Sequence, residues 1–121
     1  MELGWFEVSL DVKDIGQTRD FYEKLGFEVV GTAFEGRVIV LQKADCRICL
    51  YERFLDPAET QLIFWQGDVD AIAKDLAGKG IRFERGPSRG DDGSIGALVR
   101  DPDGRPIYFV NVPGVTRLGS H

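Results

Sequence analysis

One stretch of this chain recurs in structural outline, and the recurrence limits what it can fold into. Residues 6–28, FEVSLDVKDIGQTRDFYEKLGFE, hold a strand, a capped helix and the start of a second strand. Phe6, Val8, Leu10 and Val12 alternate with Glu7, Ser9, Asp11 and Lys13, the period-2 pattern of a strand with one apolar and one polar face. Asp14 followed three residues later by Gln17 has the form of a capping box, and Ile15, Phe21, Tyr22 and Leu25 fall on one helical stripe that Gly26 ends. Fifty-four positions on, Leu62 and Phe64 stand for Val8 and Leu10, Val69 for Ile15, Leu76 for Tyr22, Gly80 for Gly26 and Gln61 for Glu7. Asp68 offers a second N-cap, and Val69, Ile72, Ala73 and Leu76 follow the i, i+3, i+4, i+7 spacing of a helix. Two copies of one unit therefore fill the chain.

The 121 residues are one domain's worth of sequence, and 43% hydrophobic with 29% charged residues is the balance of a globular protein with a real core. No apolar run approaches the roughly 20 residues that span a bilayer, and the first residues lack the order of a secretory signal. A cytoplasmic protein with no membrane partner is the expectation. A net charge of −5 without a basic cluster argues against a nucleic-acid partner, which would need Lys and Arg on one face. Cys46 and Cys49 match C-x-x-C formally, but they fall in a strand pattern and the only histidine is His121, so ordinary reduced thiols are expected.

After the first helix, residues 27–34 predict a second strand, Glu35-Gly36 a hairpin turn, residues 37–43 a third strand and residues 46–53 a fourth. In the fourth, Ile48 and Leu50 share one face, Cys49 and Tyr51 the other. Residues 55–60 form a joining loop. The second half predicts strands over 61–66, 81–85, 94–100 and 106–111, with a helix from Asp68 to Lys79 and an Asp101-Pro-Asp-Gly104 turn. The polar stretch from Gly86 to Gly93 reads as a mobile flap, and residues 113–121 as a tail.

A βαβββ unit occurring twice, with Asp14, Phe21, Tyr22, Leu25, Gly26 and Phe27 after the first strand and Asp101-Pro102-Asp103-Gly104 before the last, resembles the vicinal oxygen chelate superfamily. This is the glyoxalase, bleomycin-resistance and dioxygenase group. The resemblance runs from about Trp5 to Val112 and implies an α+β fold: one domain over 1–121, with repeats at about 5–54 and 60–112 forming a curved, cup-shaped mixed sheet, helices outside. It further implies that ligand or metal sits on the face away from the helices. Here that face carries Glu7, Ser9 and Asp11, then Cys49 and Tyr51, then Gln61, Ile63 and Trp65, then Tyr108 and Val110.

Metal-dependent members of the family place ligands on the first and last strand of each unit. Those slots hold Glu7, Cys49 or Tyr51, Gln61 and Tyr108, where such members mostly use His and Glu. One carboxylate, one amide and a phenol make a poor set for a divalent ion. No metal and no other cofactor is therefore expected. The missing histidine also argues against fosfomycin-type transfer, ring-cleaving dioxygenation and a Ser9-His nucleophile.

Glu7 is the catalytic candidate, as a general base or lone carboxylate ligand, and equally a counter-charge for a cation or simply a solvated strand carboxylate. Trp65, Tyr51, Tyr108 and Trp5 read either as stacking walls for a planar or cationic ligand or as core and interface aromatics. Arg37 and Arg47 are read as partners for an anionic ligand or, as is usual on a strand edge, as solvated or locally paired. The resulting expectation is a metal-independent small-molecule-binding protein, held by Glu7, Ser9, Cys49, Tyr51, Gln61, Ile63, Trp65 and Tyr108. The alternatives are a lyase or isomerase working through Glu7, and a protein without a ligand. A homodimer is also expected, because exposed strand edges need covering.

Overall fold

In a computed structural model, which describes residues 1–116, the chain divides into two compact units. One is built on Glu7–Thr60, the other on Met1–Phe6 with Gln61–Gly114. The tail residues beyond 116, with His121, lie outside the described residues.

The first unit takes β1 (Gly4–Val12) from Glu7 onward, then α1 (Ile15–Lys24), β2 (Glu28–Ala33), β3 (Val38–Lys43) and β4 (Cys46–Glu52). Its strands lie in the order β2-β3-β4-β1. β1 runs parallel to β4, with Val8 opposite Ile48, and the other pairs are antiparallel. Asp14 caps α1 by accepting the Gln17 N–H at 3.0 Å. The free N–H of Ile15 is taken by Glu52 at 2.9 Å, which fixes the helix start to the end of β4. At the other end the Phe27 N–H bonds the Tyr22 carbonyl at 3.1 Å while Gly26 takes φ +101°, a conformation that costs glycine little. The apolar alternates Val12, Ile39, Leu41, Ile48 and Leu50 form the core under the helix, joined by Val8, Leu10, Ile15, Tyr22 and Phe27.

The expected stripe of α1 is narrower than its spacing predicts. Ile15 and Tyr22 pack on the core, but Phe21 and Leu25 are 59% and 49% exposed. Phe21 lies one residue around the helix from Tyr22 and meets it only edge to face, at 5.4 Å. The expected hairpin turn is a short 3₁₀ turn, Phe34–Gly36, in which Phe34, Glu35 and Gly36 all have positive φ.

The second unit repeats the plan with β5 (Gln61–Gln66), α2 (Val69–Gly78), β6 (Arg85–Arg89), β7 (Ile95–Arg100) and β8 (Pro106–Asn111), in the order β5-β8-β7-β6. β5 and β8 are parallel, with Leu62 opposite Ile107. Asp68 caps α2 through the Ala71 N–H at 3.1 Å, and the Ile81 N–H bonds the Leu76 carbonyl at 3.0 Å, the same closure as in α1 at positions 54 residues on. Val69, Ile72, Ala97, Val99 and Phe109 form its core. The Asp101–Gly104 turn forms as expected, its Asp101 carboxylate accepting the N–H groups of Asp103 and Arg105 at 3.0 and 2.9 Å.

One stretch departs from the sequence reading. Residues 81–84 are irregular, and the strand starts at Arg85, where the expected one ends, and runs to Arg89 through the stretch read as a flap. Pairing with β7 holds it, with Arg85 opposite Leu98 and Arg89 opposite Ile95. The register shifts between Arg85 and Ser88, around Gly86 and Pro87, and an edge strand tolerates a proline at such an irregularity. Phe83, inside the expected strand, packs against the core of its unit.

Candidate functional site

In the first unit the parallel pairing of β1 with β4 sets Ser9 opposite Cys49 and Asp11 opposite Tyr51, with Glu7 two residues before Ser9 on the same face. Glu7, Ser9 and Cys49 have no exposed surface, and Tyr51 is 5% exposed. A carboxylate so placed needs hydrogen-bond donors, and it has them. Ser9 Oγ and Tyr51 OH both donate to Glu7 Oε1, at 3.2 and 3.3 Å. Val40 and Val38, opposite Cys49 and Tyr51 on β3, are fully buried and make the surroundings apolar.

This setting holds its weak acids neutral. Burial pushes the Cys49 thiol far above its usual range, and the negative charge of Glu7 pushes the same way. Burial raises Tyr51 as well, helped by Cys49 and Glu7. Asp11 does different work. Its Oδ1 accepts the Leu55 N–H at 3.4 Å, tying down the chain that leaves β4.

Tyr51 leads to an aromatic edge that sequence reasoning missed. The Phe54 ring lies tilted against Tyr51 at 6.0 Å and against Phe34 at 4.9 Å, and both phenylalanines are exposed. The Arg37 guanidinium lies 5.5 Å over the Phe54 ring and donates to the Glu52 carbonyl at 3.0 Å. Arg47 donates to Gln42 Oε1 at 2.8 Å. The one available signal for this edge was a phenylalanine in each turn flanking β3 and β4.

The second unit carries its own set of the expected residues. Ile63 lies opposite Tyr108 and Trp65 opposite Val110, with Gln61 on the same face of β5. Gln61, Ile63 and Trp65 are buried. Tyr108 is half-buried, and burial raises its pKa against the opposing pull of Arg85. Its hydroxyl occupies the space over Gly96, where a Cβ would lie 2.0 Å from the oxygen. Trp5 stacks on Trp65 with ring centroids 6.3 Å apart and planes 16° from parallel. The buried Nε1 of Trp5 has no hydrogen-bond partner.

Among the described residues no three His, Cys, Asp or Glu side chains are gathered in a metal-holding group. In the first unit the Glu7 carboxylate already accepts two hydroxyls, and the neighbouring thiol and phenol are held protonated, whereas a metal needs ligands that give up their protons. What the first arrangement can do is present one desolvated carboxylate to a proton or a cationic group.

The sequence matches the model of the Glyoxalase/Bleomycin resistance protein/Dioxygenase superfamily over residues 4–109. A comparison with curated protein sequences finds no match. Among solved structures, the chain is similar to Streptomyces coelicolor methylmalonyl-CoA epimerase in complex with 2-nitronate-propionyl-CoA, at 26% identity and TM-score 0.64, covering 94% of this chain and 98% of that one. It is also similar to a methylmalonyl-CoA epimerase in complex with methylmalonyl-CoA and NH4+, at 26% identity and TM-score 0.61, over 90% and 94% of the two chains. A superfamily member from Vibrio splendidus 12B01, 18% identical with TM-score 0.63 over 88% and 97%, shares the fold. With that match across nearly all of both repeats, the chain belongs to the Glyoxalase/Bleomycin resistance protein/Dioxygenase superfamily.

Proposed function

We propose that the protein binds a small planar, cationic molecule without a metal, using Glu7 as the counter-charge. The observation that carries this reading is a carboxylate with no exposed surface that accepts from the hydroxyls of Ser9 and Tyr51 in an apolar setting. A buried charge gains most from an opposite charge, because the low dielectric around it weakens the interaction least. Tyr51 and Cys49 shape the seat beside it, and in the second unit Gln61, Ile63, Trp65 and Tyr108 line the corresponding face. The test titrates 1-methylquinolinium and its neutral analogue 1-methylnaphthalene into the native protein and Glu7→Gln. Preference for the cation, abolished in Glu7→Gln, supports the reading. Equal binding of both by the native protein, or near-stoichiometric metal by elemental analysis, overturns it.

A second reading is favoured by the likeness to methylmalonyl-CoA epimerase at 26% identity. In it, Glu7 takes a proton from the carbon between two carbonyl groups, with Ser9 and Tyr51 holding the carboxylate in place. Methylmalonyl-CoA incubated with the protein in D2O then exchanges that proton, and Glu7→Gln stops the exchange. Homodimer formation is part of the proposal as well, since the edge strand β2 exposes Val29 and Val30, and sedimentation equilibrium reads it directly.

A further inference from the structure

We propose that Trp5 is a ligand anchor whose indole N–H donates to an acceptor oxygen on a planar, conjugated ligand packed beside the Trp5–Trp65 pair. This deepens the binding reading and rests on it for the existence of a ligand. The donor itself is independent of Glu7. A tryptophan N–H that is removed from water is normally hydrogen-bonded, since an unmade bond leaves its whole desolvation cost standing. Trp5 Nε1 is the buried side-chain polar atom of the described residues that has no partner.

Its position is determined by backbone contact. Gly4, just before it, lies so close to β5 that a Cβ would fall 1.9 Å from the Trp65 carbonyl oxygen and 2.9 Å from the Gly67 nitrogen. Gly4 also has φ +93°, so the chain enters β1 in a conformation that only glycine adopts readily. This approach sets the two indoles nearly parallel at 6.3 Å. Trp65 is 9% exposed and its ring, stacked on Trp5, is flat and apolar, while the Trp5 N–H adds one directional polar contact. A flat apolar seat with a single donor selects a conjugated ring system bearing a carbonyl or similar acceptor, and a hydrocarbon of the same shape leaves the N–H unpaired.

The experiment uses chromone, a bicyclic ring with a carbonyl and no donor, against naphthalene, which has the shape without the acceptor. The indole N–H signal of Trp5, assigned from its loss in Trp5→Phe, is followed by proton–nitrogen NMR in the native protein. Chromone is expected to move it downfield and naphthalene to leave it in place. Trp5→Phe, which keeps an aromatic ring, is expected to lose about three- to tenfold in chromone affinity and nothing for naphthalene. Three results overturn the proposal: no binding of chromone, binding without movement of the signal, or a signal already at the hydrogen-bonded position in the free protein, which marks a resident water. The counter-charge reading is judged separately, because 1-methylquinolinium has no acceptor and its preference depends on Glu7.

Discussion

The Tyr51 hydroxyl donates to the Glu7 carboxylate at 3.3 Å, joining residues 44 positions apart on β4 and β1. Together with Ser9 it provides the polar company that lets a carboxylate sit without exposure between apolar strands. Tyr51→Phe keeps the ring against Phe54 and removes only the hydroxyl. It is expected to lower unfolding stability by about 1–3 kcal/mol, read from the urea midpoint at unchanged slope. An unchanged midpoint would show that the bond contributes nothing.

The two cysteines are expected to separate cleanly by reactivity. Cys46 is exposed and Cys49 buried, and burial keeps the Cys49 thiol protonated, so a thiol reagent near neutral pH should modify Cys46 alone until the protein unfolds. Mass mapping of one-equivalent labelling checks it, and early modification of Cys49 would contradict the burial.

The same burial predicts a loss of stability in alkali. Cys49 and Tyr51 have pKa values raised above their ordinary 9.0 and 10.0. Below those values both groups are protonated in folded and unfolded chains alike, and stability is at its full level. As the pH rises past about 9 the unfolded chain releases protons that the folded chain keeps, so unfolding gains by about 1.4 kcal/mol per pH unit for each group. Cys49→Ala should remove the part of the decline that begins first. A stability curve flat between pH 8 and 11 would be incompatible with this.

Gly96 and Tyr108 form a size-matched pair. An alanine Cβ at 96 would lie 2.0 Å from the Tyr108 hydroxyl and 2.6 Å from its ring carbon, so Gly96→Ala must displace the ring. A cost of about 1–3 kcal/mol is expected, most of it recovered when Tyr108→Ala clears the space. Equal cost in both backgrounds would place the strain elsewhere.

The repeat was legible because its signals are local. Asp14 and Asp68, the glycines at 26 and 80, and the apolar spacing of each helix are interactions within a few residues, and α1 and α2 begin where those letters place them. β6 was not legible, because Arg85–Arg89 contains glycine, proline and serine and owes its strand conformation to its partner β7. The alternation along β1 showed which face Glu7 occupies. It could not show that this polar face is buried too, since that depends on parts of the chain distant in sequence. Nor do letters show that Phe54 bridges Phe34 and Tyr51, or that the N–H of Trp5 lacks an acceptor.

The complete burial of Glu7, Ser9 and Cys49 has a kinetic consequence. No solute reaches these groups while the face stays closed, so a ligand of the kind proposed would bind only after an opening step. The observed rate should then level off as ligand concentration rises, at the rate of opening, rather than climb without limit. Apparent affinity is reduced by the small fraction of open molecules. A substitution that merely loosens the face is therefore expected to tighten binding while touching nothing the ligand touches.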